Sequence, residues 1–107
     1  MDPAVSFIVP CYNYAHLLAL CVRSILAQTY PDFEILIMDD CSPDNTPEVA
    51  RSFGDSRVRH IRHEKNLGHL ANALRGHQLA RGRFHWIISA DDHLRRPDAL
   101  EKYMSVV

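Results

Sequence analysis

Two pairs of adjacent carboxylates, Asp39-Asp40 and Asp91-Asp92, are the side chains of this 107-residue sequence best suited to chemistry. Neighbouring carboxylates that follow an apolar run are hard oxygen ligands of the kind that hold Mg2+ or Mn2+, and a cation held there can neutralise a diphosphate. Asp91-Asp92 suits that work. A carboxylate can instead accept the N–H of a pyrimidine or purine base, and Tyr12 offers a ring on which a base can stack. Asp39-Asp40 is too similar a doublet to be assigned by residue type alone. The competing reading is that acids after strands merely cap helices and shape turns, and that a lone loop tyrosine is a partly buried aromatic. Two doublets at equivalent places weigh against that reading. His93 adjoins Asp92, where it could be a ligand or a donor to one, although an exposed loop histidine is the default. His60, His63 and His69 lack the second regular pair of ligands that a zinc site requires. Neither G-x-G-x-x-G nor G-x-x-x-x-G-K-[ST] occurs, so phosphate is not cradled by a glycine-rich turn of either kind.

The elements that must carry these residues can be read from periodicity. Val5 to Val9 is a β-branched and aromatic run expected to stop at Pro10, which supplies no ladder donor. Leu17, Leu18, Cys21, Val22, Ile25 and Leu26 recur at helical spacing until Tyr30-Pro31-Asp32 breaks the pattern. Phe33 to Met38 predicts a second strand, delivering Asp39-Asp40 to the turn-rich stretch Cys41-Ser42-Pro43-Asp44-Asn45. Thr46-Pro47-Glu48 reads as a helix start leading to Phe53, and Gly54-Asp55 turns into a weaker strand, Val58 to Ile61. A helical segment opens at Gly68 and closes at Gly82. Phe84 to Ile88 then predicts a fourth strand ending in Ser89-Ala90-Asp91-Asp92, and Pro97, Asp98 and Glu101 mark a last helix. Strand and helix alternate four times, so the economical architecture is α/β: one domain over residues 1–107 with a parallel sheet covered on both faces. Ligands of such sheets bind at the strands' carboxyl ends, where Pro10-Cys11-Tyr12-Asn13 and both doublets fall.

Composition narrows the class further. With 47% hydrophobic and 23% charged residues the chain can bury a core, and twelve Lys and Arg against thirteen Asp and Glu leave a net charge of −1, so no basic excess points to nucleic acid. No apolar run approaches the roughly 20 residues of a membrane span, and Met1-Asp2-Pro3 is unlike a secretory signal, so a cytoplasmic protein is expected. Cys11, Cys21 and Cys41 are odd in number and lack a C-x-x-C spacing, which favours reduced thiols.

Several segments, taken in order, resemble the family 2 glycosyltransferases of GT-A fold: Val5-Ser6-Phe7-Ile8-Val9-Pro10-Cys11-Tyr12-Asn13; Ser24 through Ile35; Asp39-Asp40-Cys41-Ser42-Pro43-Asp44; Asn66-Leu67-Gly68; Ala80-Arg81-Gly82; and Ser89-Ala90-Asp91-Asp92. The resemblance covers about residues 4 to 103. It implies a Rossmann-like β-α-β-α-β-α-β-α half that binds a nucleotide-sugar donor, UDP-sugar favoured, with Mn2+ or Mg2+, for inverting transfer to the hydroxyl of a carbohydrate or lipid-linked acceptor. A role in cell-envelope polysaccharide synthesis, at the inner face of the membrane, would follow. By the same resemblance Pro10, Tyr12, Asp40, Asn66 and Asp91 are expected to contact nucleotide, Asp40 through the base and Asp91 near the ribose, and Asp92 with Asp91 to hold the metal. Two departures stand out. Ser89 occupies a position where many members have Asp, and Ala73-Leu74 replaces a more polar pair in the helix before Gly76.

The general base expected of the family is not found here. The sequence ends about fifteen residues past Asp92, and it is expected to be a donor-binding half truncated before the acceptor-binding half, with self-association through an exposed sheet edge beside Phe84 to Ile88. The alternatives are a non-catalytic nucleotide-binding or regulatory module and a receiver-like signalling domain, the latter calling for a lone acceptor Asp and a later Lys.

Overall fold

The computed structural model describes residues 2–106. It contains β1 (Val5–Cys11), α1 (Ala15–Leu26), β2 (Phe33–Asp39), α2 (Thr46–Arg51), β3 (Val58–Arg62), α3 (His69–Leu79), β4 (Phe84–Ile87) and α4 (Ala99–Met104). The strands form one parallel sheet in the order β3-β2-β1-β4. β1 and β2 are buried along their whole length, which is why both read as near-continuous apolar runs rather than alternating ones. Successive side chains still point to opposite faces. Val5, Phe7, Val9 and Cys11 join Phe33, Ile35 and Ile37 in the larger core, against Leu18, Cys21, Val22 and Ile25 of α1 and Leu100 of α4. Ile8, Leu36 and Met38 face the other way, toward Leu79 and Ala80.

α3 lies close on that second face. A Cβ added at Gly76 would stand 2.5 Å from Ile8 Cγ2, so a glycine is needed there for the helix to approach the sheet. From β1 the chain winds outward to β2 and β3, then crosses back over α3 to place β4 on the other side of β1. The winding direction reverses between β1 and β4, which makes their carboxyl ends the switch point at which α/β sheets bind ligands.

β1 runs two residues further than the sequence suggests, through Pro10. The Pro10 carbonyl accepts the Ala90 N–H at 3.1 Å, so the missing proline N–H faces the β4 side of the strand, where β4 has already ended at Ile87. Toward β2 the pairing continues to Cys11 opposite Asp39. A proline in a central strand is tolerated here because the N–H it lacks does not point toward β2, whose pairing with β1 runs on to Cys11.

Candidate functional site

Four loops meet at the carboxyl edge. The loop after β1 carries Tyr12, exposed to 47%, and Asn13 in the left-handed region at φ 62°. Tyr12, Pro10, Asn66, Gly68 and Ser89 line one cleft of about 280 Å3, with His69 and Asn72 of α3 in its wall. A larger hollow of about 610 Å3 is lined by Arg62, His63, Glu64, Lys65 and Leu67, and none of the residues expected to contact nucleotide or metal lines it.

The two acid doublets, alike in sequence, are unlike in space. Asp39 is fully buried, accepting the Ser42 N–H at 2.9 Å and facing His60 Nε2 at 2.8 Å and Arg62 Nη1 at 2.9 Å. It closes the turn after β2 and ties β2 to β3. Asp40 is also buried, and its two oxygens accept the backbone N–H groups of Leu67 at 2.7 Å and Gly68 at 3.0 Å. Asn66 Nδ2 donates to the Asp40 carbonyl at 3.3 Å, and Asn66 Oδ1 shares the Gly68 amide at 3.0 Å. Asp40 therefore clamps the Asn66-Leu67-Gly68 loop onto the end of β2, and each carboxylate oxygen retains a lone pair beyond the amide it accepts.

Asp91 and Asp92 are exposed on the loop just past Ser89. The loop is anchored by the buried Ala90, whose N–H reaches Pro10, and by Asp92 N–H donating to the Ser89 carbonyl at 2.9 Å. Among the described residues the two carboxylates accept a single protein hydrogen bond, from His93 N–H to Asp92 Oδ1 at 3.2 Å. Among the described residues no three His, Cys, Asp or Glu side chains cluster as a metal cage. Two accessible carboxylates suit a cation that completes its shell with phosphate and water, as Mg2+ does. The donor set fits such a cation.

The remaining candidates are accounted for by local contacts. His63 Nε2 pairs with Asn72 Oδ1 at 2.7 Å while Asn72 Nδ2 donates to the Met38 carbonyl at 2.9 Å, which pins α3 to β2. Burial pushes the Cys11 and Cys21 thiols up to about 11 and about 12, so neither is a ready nucleophile near neutral pH.

One residue of the site escaped the sequence reading, which took it for a turn former. Asp44 Oδ1 accepts Ser42 Oγ–H at 2.5 Å and both the N–H and Oγ–H of Thr46, while Oδ2 accepts the Ala15 N–H at 3.0 Å. Ser42 Oγ in turn accepts the Asn13 N–H at 2.8 Å. Burial acts to raise the Asp44 pKa, but the bonds from Ser42, Thr46 and Ala15 prevail and hold it at about 2. The sequence held two signals for it: its place at the end of the Asp39-to-Asp44 segment that resembles the family, and its position two residues before Thr46, at a helix start.

The family model described as "Glycosyl transferase family 2" matches residues 6–106. The chain is 40% identical over 95 residues to the glycosyltransferase GlyG of Streptococcus pneumoniae serotype 4, covering 86% of this chain and 31% of that protein. It is 36% identical over 91 residues to WfgD of Escherichia coli, a UDP-Glc:alpha-D-GlcNAc-diphosphoundecaprenol beta-1,3-glucosyltransferase, covering 85% of this chain and 36% of that one. Among solved structures, the mannosyltransferase PcManGT from Pyrobaculum calidifontis, in complex with GDP-Man and Mn2+, superimposes with a TM-score of 0.84 at 26% identity, over 94% of this chain and 31% of that one. The chain thus spans about a third of the length of these relatives.

Proposed function

The chain belongs to glycosyl transferase family 2 and has the parallel, Rossmann-like sheet of GT-A glycosyltransferases, and from that premise we propose that it holds the nucleoside diphosphate of a sugar donor, a UDP-sugar foremost, for inverting transfer to an acceptor hydroxyl. One observation carries the reading: at the β1/β4 switch point, Pro10, Tyr12, Asn66 and Ser89 line a cleft, and the exposed Asp91-Asp92 pair follows Ser89 on the same loop after one intervening residue.

In this reading Tyr12 stacks on the base, a free lone pair of Asp40 accepts a base N–H, Asn66 and Pro10 border the nucleoside, and Asp91 lies near the ribose. Asp91 and Asp92 would hold Mn2+ or Mg2+, which when bound supplies positive charge to the departing diphosphate. The acceptor oxygen bonds to the anomeric carbon as the carbon–oxygen bond to the diphosphate breaks, with inversion. The proton of the acceptor hydroxyl goes to a carboxylate base that the proposal places outside residues 1–107. The E. coli relative's use of UDP-Glc favours uridine, and its diphosphoundecaprenol acceptor favours a lipid-linked acceptor at the inner membrane face and a part in cell-envelope polysaccharide synthesis. No helix among the described residues is long and apolar enough to cross a membrane.

Calorimetry with UDP, GDP, CDP and TDP, each with Mn2+ and with EDTA, tests the proposal. UDP is expected to bind in the presence of metal, and the absence of heat with every nucleotide would reject it. Asp92→Ala is expected to make the UDP affinity the same with Mn2+ as with EDTA; metal dependence that survives the change would remove Asp92 from the ligand set.

Association belongs to the same proposal. β4 is an edge strand of the described sheet, and Ile87 stands 47% exposed on it, an arrangement that invites pairing. Light scattering is expected to show dimers or larger species, and a clean monomer at high concentration would exclude this.

A further inference from the structure

We infer that Asp44 is a positioning residue for the nucleoside platform: without touching the ligand, it holds the loop that presents Tyr12. The inference rests on the proposed nucleotide site and adds to it a residue outside the cleft lining.

The loop between β1 and α1 has little to hold it on its own. Tyr12, Asn13 and Tyr14 are all exposed, and Asn13 occupies the left-handed region at φ 62°, where a residue other than glycine rests only if its surroundings fix it. The restraint comes from the neighbouring β2–α2 loop, about thirty residues along the chain. Asn13 N–H donates to Ser42 Oγ, and Ser42 Oγ–H donates to Asp44 Oδ1. Ala15 N–H, at the first turn of α1, donates to Asp44 Oδ2. The residues on both sides of Tyr14 are therefore tethered to one carboxylate, and Thr46 fixes that carboxylate at Oδ1, the oxygen that also accepts Ser42, through both its N–H and its hydroxyl. Thr46 Oγ1 also lies 3.8 Å from Cys11 Sγ, at the last residue of β1.

A platform for stacking must keep one orientation before the ligand arrives, because ordering a loop on binding subtracts from affinity. Asp44 supplies that order, and being ionised well below neutral pH it does so uniformly across the ordinary assay range.

The test is a double-mutant cycle on UDP affinity with Mn2+ present: wild type, Asp44→Ala, Tyr12→Ala and the pair. Asp44→Ala is expected to weaken UDP about tenfold, on the scale of one lost charge-assisted bond. In the Tyr12→Ala background the same change is expected to cost less than about twofold, since coupled sites are not additive. Mn2+ affinity without nucleotide is expected to stay unchanged, and amide exchange at Asn13 and Ala15 to quicken. Equal losses in both backgrounds, no loss in either, or a parallel fall in Mn2+ affinity would overturn the role. Should Asp44→Ala fail to fold, Ser42→Ala cuts only the Asn13 tether, and an effect of about threefold that vanishes with Tyr12→Ala is expected on the same coupling argument. Wild-type protein that binds no nucleotide would reject the site itself and this role with it, whereas wild-type binding with an additive cycle rejects the role alone.

Discussion

Asp40→Ala is expected to weaken UDP binding by roughly 100-fold or more, beyond what either Asp92→Ala or Asp44→Ala produces. Two losses combine. The first is the proposed acceptance of a base N–H, a charge-assisted bond whose loss is typically about 1.5 to 3 kcal/mol, or roughly 10- to 150-fold. The second is structural: the Leu67 and Gly68 amides lose the carboxylate oxygens they donate to at 2.7 and 3.0 Å, which leaves the Asn66-Leu67-Gly68 loop tied to residue 40 only through the bond from Asn66 Nδ2 to its main-chain carbonyl. Asp40→Asn separates the two. Its amide keeps one oxygen for a loop N–H but turns an N–H2 toward the other, so it should bind UDP more tightly than the alanine variant and less tightly than wild type. Titrations of UDP and, separately, of Mn2+ read the outcome. Mn2+ affinity should be nearly intact in both variants; loss of Mn2+ binding with UDP affinity retained would reverse the roles assigned to the two doublets.

The sequence made the doublets visible and left them indistinguishable, and the reason is physical. What separates them is burial and partners. Asp39 faces His60 and Arg62 on β3, while Asp40 faces backbone amides at 67 and 68, contacts set by strand register and by the return of a loop. No local spacing encodes either. The elements themselves were legible because Val5 to Val9, Phe33 to Met38 and the Leu18, Cys21, Val22, Ile25 stripe satisfy the periodicity of buried strands and an amphipathic helix. Boundaries were less so. β1 passes Pro10 because of which way that residue faces, and the helix after Gly68 ends at Leu79 rather than at Gly82 because Ala80 takes an extended backbone, φ −67° and ψ 139°, leading Arg81 and Gly82 to partners on β1 and β2. Asp44 was overlooked for a related reason. Its bonds to Ser42 and Thr46 are local and look like any turn, whereas the bond to Ala15 N–H, which gives it a place in the site, spans 29 positions.

Glu34→Ala is expected to have the largest effect on stability of any single change considered, about 3 kcal/mol, or a fall in Tm of more than about 10 °C for a chain of this size. Glu34 is a charged residue in the middle of an otherwise apolar run, and its side chain is only 7% exposed. Its Oε2 accepts Ser6 Oγ–H and Arg81 N–H, both at 2.6 Å, and its Oε1 accepts Arg59 Nη1 at 3.0 Å. Ser6 Oγ in turn accepts the Gly82 N–H at 2.8 Å. One carboxylate thus joins β1, β2 and β3 to the turn that leads into β4. That turn packs too tightly for any side chain, since a Cβ on Gly82 would meet Ser6 N at 2.6 Å. Removing the carboxylate strands buried donors and an arginine that is 28% exposed; the partial exposure of Arg59 limits the cost to the lower end of what breaking a buried pair exacts. Burial alone would raise the Glu34 pKa, but the bonds from Ser6, Arg81 and Arg59 lower it below the ordinary glutamate value of 4.5. The folded state therefore binds this proton less readily than the unfolded chain, so the stabilisation is complete above about pH 5 and is lost as pH falls through the folded value. Glu34→Gln keeps an oxygen for Ser6 and Arg81 and should cost less than alanine, and it should flatten the acid side of the stability curve between about pH 5 and 3. Thermal melts of wild type and both variants across that range decide the matter. An alanine variant melting within about 2 °C of wild type, or a glutamine variant with an unchanged acid limb, would show that the β4 turn, and with it the approach to Asp91 and Asp92, is held by other contacts.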